Sequence, residues 1–271
     1  MKILIFLNKF VTYLMIEKKK LFLLIFFFLF LFLKTIHSNE FSSSKNIVSY
    51  NDLIKIKNIY YSKYTNKLYT GKIEGLIEGF FLDGKRHGEF FKYYNDGKIL
   101  SKINYFDNKL NGTWIEFYRN GNILVKKNYK NNKLDGEYTD YYSFGQKLSK
   151  RFYVQSKLEG MYLEFYKNGQ LHIKANFKNN ILDGEYIAYH EYEVNIVEQI
   201  KKKKYYKLGR LNGNYLEFDE RGILRKEGIY VNGKLEGEFF NYDADGNILK
   251  KIIYKNGTLV KIFTMKNKNV R

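Results

Sequence analysis

The chain of 271 residues is 45% hydrophobic and 18% aromatic, too apolar to remain disordered and rich enough to bury a folded structure. It has no proline to interrupt a strand, and no cysteine, which excludes disulfides, thiolate catalysis, Cys-ligated metals and an acylated-cysteine anchor. The formal charge of +19 favours acidic partners, although heavy use of Lys, Asn, Ile, Tyr and Phe, as in an A+T-rich genome, accounts for part of it.

At the N-terminus a basic cluster, Lys18 to Lys20, precedes 13 apolar residues from Leu21 to Leu33, and polar residues follow. A membrane-spanning helix needs about 20 apolar residues and a signal-peptide core about 7 to 15. Residues 1–38 are therefore expected to form an export signal, with an uncleaved membrane anchor as the alternative. The expected location is the cell envelope, or the cytoplasm if the segment does neither. Met15 offers a second start. Residues 39–56, which include the serine-rich "EFSSSKNIVSYN", read as a linker.

From residue 57 to 260 the chain repeats itself. Glycines fall at Gly88, Gly112, Gly136, Gly160 and Gly184 in steps of 24, and then at Gly213 and Gly237. Each is followed by a short aromatic and β-branched segment such as "TWIEFY" or "MYLEFY", the composition strands prefer. A second set, Gly97, Gly121, Gly145, Gly169, Gly222 and Gly246, lies in segments such as "NDGK", "RNGN" and "KNGQ", which are strong hairpin signals. All thirteen glycines are read as turn residues. The segments between them, six to eight residues long, suit strands and are too short for stable helices. The expected fold is all-β: an elongated antiparallel meander of tandem 24-residue hairpins, with roughly 14 to 16 strands spanning about 70 Å. A basic tail, residues 261–271, closes the chain.

Alternation predicts two faces. Phe91, Tyr93, Ile115, Phe117, Leu163, Phe165, Leu216, Phe218, Phe240 and Tyr242 are expected to share a core face with Ile99, Ile103, Tyr105, Ile248, Ile252 and Tyr254 of the returning strands. Phe90, Trp114, Tyr138 and Tyr162 alternate with Lys92, Glu116, Asp140 and Glu164 on the outer face. Trp114, Tyr118, Tyr138, Tyr142, Tyr162 and Tyr166 are accordingly candidate partner-binding residues, since exposed Tyr and Trp are favoured at interfaces. A row that merely stiffens an open sheet is an equal alternative.

The one step of 29 residues contains "EYEVNIVEQIKKKKYYK" (191 to 207), whose Lys201, Lys202, Lys203 and Lys204 are candidate contacts for anionic lipid; a solvated hairpin tip is the plainer reading. For catalysis no constellation is found. His37, His87, His172 and His190 are scattered, and no metal-ligand spacing or phosphate-binding glycine pattern appears. No catalytic residue, cofactor, metal or small-molecule substrate is implied. Acidic residues interleaved in the same rows, together with the expected export, argue against nucleic acid.

The repeated "Y-x-N-G-x-(I/L)" and "(D/N)-G-K-L-x-G-x-(Y/W)" patterns, with "YTGK" at Tyr69 to Lys72, resemble the MORN-repeat variant found in the YwqK family of bacterial antitoxins. The resemblance covers about Lys57 to Val260. It implies a non-enzymatic scaffold that binds a protein partner, such as a cognate toxin, by occlusion, here in the bacterial envelope. A membrane-associated structural protein with a basic face toward anionic lipid is the alternative. Two departures stand out: an export signal does not suit a cytoplasmic antitoxin, and the unit holding Glu191 to Lys204 lacks its middle turn glycine.

Overall fold

Two kinds of turn, alternating along the chain, organise the structure. The computed structural model describes residues 48–192 and 199–265. The proposed signal segment Leu21–Leu33 lies outside the described residues, as do positions 39–47 of the expected linker.

From Gly71–Glu74 to Thr258–Thr264 successive strands pair antiparallel with their neighbours, and Val48–Ser49 adds a parallel pair to Gly71–Glu74, giving one 19-stranded sheet. The described residues contain no α-helix, only a 3-10 turn at Tyr50–Asp52. Residues 48–56, read from sequence as linker, are folded: after that turn, Leu53–Ile56 pairs with Ile59–Ser62 in a separate hairpin. The last strand likewise carries the array past residue 260. The unit with the insertion is built like its neighbours, with Ile181–Tyr189 paired to Ile200–Lys207.

The first kind of turn is as the sequence predicts. In each three-residue loop the glycine donates back, as Gly121 N does to Tyr118 O (2.9 Å) while Tyr118 N donates to Asn122 O (2.8 Å). Gly121 has φ +91°, the left-handed geometry that a type I turn closed by a G1 bulge demands.

The second kind is a correction. Chain reversal occurs four residues before Gly112, Gly136 and their equivalents, at two-residue turns with both central φ angles positive, such as Asp107 (48°) and Asn108 (65°) or Asn131 (50°) and Asn132 (67°). Asparagine tolerates this region, so the turn needs no glycine. Gly88, Gly112, Gly136, Gly184, Gly213 and Gly237 lie inside strands, and Gly160 begins one; all seven have positive φ. At Gly112 the ladder steps from Tyr105–Leu110 to Ile103–Trp114, so residues 111–113 arch over Asn104 alone. Asn104 Nδ2 donates to Thr113 O (2.9 Å), and a Cβ on Gly112 would lie 3.1 Å from the Asn104 Cβ. These glycines permit a bulge, not a chain reversal.

The first turn also overturns the expected division of faces. Beyond it the register shifts by one residue between Lys92 and Tyr93, so Phe90 lies opposite Ile103 and Phe91 opposite Lys102. A one-residue slip sends every later side chain to the other face. Ile103, Tyr105 and Ile252 therefore share the face of Phe90, Trp114 and Phe239, not that of Phe91. That face is also the better buried: Phe90 is 3% exposed and Ile103 1%.

The largest apolar cluster lies at the N-terminal end, where Leu53, Tyr60, Tyr69, Ile73 and Phe81 cover Phe90, Ile103 and Tyr105. Tyr60 packs at a tilt against Phe81, ring centroids 4.7 Å apart, and Phe81 meets Phe90 edge-on at 5.3 Å. The hairpin holding Tyr60 is tied down by Tyr60 N to Gly84 O (2.8 Å) and Asn108 Nδ2 to Asn58 O (2.6 Å).

Candidate binding surfaces

On the Phe90 face the first four repeats each contribute one aromatic pair 15 residues apart: Phe90 with Tyr105, Trp114 with Tyr129, Tyr138 with Tyr153, and Tyr162 with Phe177, at 5.2 to 5.9 Å. Cations cover several rings, with Lys127 4.3 Å from Trp114 and Arg151 4.0 Å from Tyr138. Each such contact is worth about 0.5–2 kcal/mol, according to how far it is desolvated. The carboxylates of the same face are paired within it. Lys127 meets Glu116 at 3.2 Å, Arg151 meets Asp140 at 2.8 Å, and Glu164 accepts from the Tyr162 hydroxyl (2.9 Å) beside His172 Nδ1 (3.1 Å). Burial, and then the Glu164 carboxylate, push the Tyr162 hydroxyl above its usual pKa.

The sequence-predicted binding residues fall into two structural groups. Trp114, Tyr138 and Tyr162 are half-buried members of the aromatic pairs. Tyr118, Tyr142 and Tyr166 sit at the three-residue loops and donate to backbone carbonyls 23 residues ahead, Tyr141 O (2.8 Å), Phe165 O (2.9 Å) and Tyr189 O (2.9 Å). These hydroxyls staple each hairpin to the next. His190 Nε2, 3.1 Å from Phe218 O, takes the corresponding place in the unit with the insertion.

Lys201 to Lys204 belong to a regular strand, not to a hairpin tip, and the strand sends them to opposite faces. Lys202 lies 3.9 Å from Glu217, and Lys203 is paired with Glu185 at 2.6 Å. Lys204 lies over the rings of Tyr186 and Tyr215, where burial, and then the neighbouring Lys202, lower its pKa. The four lysines are thus divided between the two faces of the sheet.

The opposite, Phe91 face follows a rule that the sequence reading missed. Directly opposed residues form a straight row, Phe91, Lys102, Ile115, Lys126, Thr139, Lys150, Leu163, Lys174, in which apolar side chains or threonine alternate with lysine from strand to strand. Lysines of every second repeat are neutralised by a glutamate 13 residues earlier on the adjacent strand: Lys102 by Glu89 and Lys150 by Glu137, each at 2.8 Å. In the repeats between, Thr113 and Met161 replace the glutamate. The motif thus has a period of 48 residues on this face. Its signal, Glu at 89 and 137 but not at 113 and 161, is visible in the sequence only once the register is known.

Among the described residues no group of three or more His, Asp or Glu side chains could hold a metal ion. No described helix is long and apolar enough to cross a membrane.

Six segments, 86–107, 110–131, 134–155, 158–179, 211–232 and 235–256, match the MORN repeat variant. The unmatched interval between 179 and 211 is the unit with the insertion, whose strands pair like the rest. A search of curated proteins gives no significant match. The MORN repeat variant is a non-catalytic repeat, and six tandem copies of it, on an all-β sheet, are the framework of this chain.

Proposed function

We propose that the chain is a non-enzymatic scaffold that binds a protein partner in the cell envelope, of the YwqK-like antitoxin or immunity type. The observation that carries this reading is the sheet itself: MORN-variant units in register present two broad, patterned faces. Occlusion of a toxin's active site needs only such a surface. The envelope location rests on the apolar run Leu21–Leu33. The test is co-purification of the mature chain with the product of a neighbouring toxin-like reading frame, and protection of cells expressing that product. An N-terminus that is retained in the cytoplasm, or a toxin that remains active beside the chain, counts against it.

A second reading, attachment to anionic lipid, is favoured by one rim of the sheet. Beside the two-residue turns the closing pairs include Phe106–Lys109, Lys130–Lys133, Val154–Lys157, Lys207–Arg210 and Val231–Lys234. Each sets a cation beside an exposed apolar residue or a second cation, a composition suited to a negatively charged bilayer surface. Salt-sensitive binding to phosphatidylglycerol vesicles, with no protein partner, would support this reading over the first.

A further inference from the structure

On the Phe91 face the residue beneath a bulge and the last residue of that bulge include at least one polar side chain, as in Asn104 with Thr113, Asn128 with Glu137 and Asn176 with Glu185. Between the third and fourth MORN-variant segments the pattern fails. There Phe152 lies beneath the bulge that ends at Met161, and both remain about half exposed, at 47% and 49%, although each has a polar ladder partner on its other side, Glu137 and Asn176 respectively. With Glu137, Lys150 and Leu163 they line a shallow groove. Half of each apolar side chain is left open to water, so the pair contributes less to the fold than it would if covered.

The charges around the pair are uneven. Lys150, inside the groove, is already neutralised by Glu137 at 2.8 Å. Lys126 and Lys174, in the same cross-strand row on either side, form no ion pair among the described residues, because Thr113 and Met161 stand where the other repeats place a glutamate. They are four strand steps apart, about 19 Å at the usual spacing. The result is an apolar anchor between two uncompensated cations, on a chain whose formal charge is +19.

We infer that Phe152 and Met161 are the anchor point for an acidic protein segment, one that places an apolar side chain in the groove and carboxylates against Lys126 and Lys174. This rests on the scaffold reading and moves its contact from the aromatic pairs of the Phe90 face, whose cations and carboxylates are paired among themselves, to the opposite face. Buried anchors with charged surroundings are the usual form of an interface hot spot.

The test is selection of a displayed random 12-residue peptide library on the wild-type chain, with counter-selection on the Phe152→Ser, Met161→Ser double variant. Half exposure of both side chains means that this variant should fold, with a melting temperature near that of the wild type. Enriched peptides are expected to combine Asp or Glu with an aromatic or aliphatic residue. Their binding should fall at least tenfold in the double variant and at least threefold in Lys126→Glu, Lys174→Glu, and basic counterparts of the same peptides should recover binding to the latter. Enrichment of basic or purely polar peptides, equal binding to the double variant, or no enrichment at all would overturn the inference. A native partner whose binding survives Phe152→Ser, Met161→Ser would sink it while leaving the scaffold reading in place.

Discussion

Gly79 lies beneath the ring of Phe90, where an added Cβ would come within 2.5 to 2.6 Å of three ring atoms. Ordinary carbon contacts are about 3.5–4.0 Å, so the ring would have to retreat by about 1 Å. It has nowhere to go: Phe90 is 3% exposed and held edge-on by Phe81 at 5.3 Å and Tyr105 at 5.2 Å. Overpacking of this kind costs about 1–3 kcal/mol, offset by about 0.5–1 kcal/mol because alanine in a strand gives up less backbone entropy than glycine. Gly79→Ala should therefore destabilise by about 1–2 kcal/mol, a fall in melting temperature of about 3–6 °C for a unit of this size. The single tryptophan, Trp114, packs against this cluster, so its fluorescence in a urea titration reports this end of the array. Phe90→Ala alone should cost about 3–5 kcal/mol, and adding Gly79→Ala to it should cost nothing further. If Gly79→Ala leaves the titration unchanged, or costs as much in the Phe90→Ala background as in the wild type, the clash is not the cause.

Other consequences follow from the turns, the staples and the tyrosines. Gly121→Val with Gly145→Val forces β-branched residues to φ +91° and +97° and should lower the melting temperature by several degrees; an unchanged calorimetric scan would show that these loops tolerate other geometries. Tyr118→Phe and Tyr142→Phe each remove one hydroxyl-to-carbonyl staple and should cost about 0.5–1.5 kcal/mol in chemical denaturation, whereas Tyr64→Phe, at a residue 74% exposed, should cost less. Burial raises the hydroxyl pKa of Tyr129, Tyr138, Tyr186 and Tyr206, and that of Tyr69 to about 12. A raised folded-state pKa means that the folded chain holds these protons longer, so their contribution is intact below the unfolded value of about 10 and is lost as pH rises above it. Stability should therefore decline from about pH 10 upward, and absorbance at 295 nm should show a second, unfolding-linked phase of tyrosine ionisation. A single phase centred near pH 10 in the folded protein would contradict the burial.

The hairpin array is legible because its signals are local. Asn-Gly at 120–121 and aromatic residues at fixed offsets encode strand and turn within a few positions of each other. The second turn escapes notice because Asn131–Asn132 and Gln155–Ser156 reach positive φ without glycine, while the conspicuous Gly136 beside them serves a bulge. The face assignment fails on a single extra residue in the register beyond Lys92, which no alternation pattern can count. The N-terminal hairpin and its apolar cluster are invisible for another reason: Tyr60 meets Phe81 and Asn58 meets Asn108 across long stretches of chain, contacts that neither periodicity nor propensity contains. At the binding surfaces, sequence identifies the tyrosines but not what they touch. The departure at Phe152 and Met161 gains meaning only when the two are found lining one groove.

The cross-links between hairpins are not evenly distributed. Asn108, Asn132, Ser156 and Asn180 each accept a backbone N–H 22 residues earlier through their side chains, but Gly209, Gly233 and Gly257 replace them farther on. On the other rim the row of tyrosines passes through His190 to Asp219 and Asp243, which bond within their own loops. The zip is thus sewn at one end and only pressed shut at the other. Amide protons beyond residue 210 should exchange sooner than those between 85 and 180, and a force applied to the array should peel it from the C-terminal side.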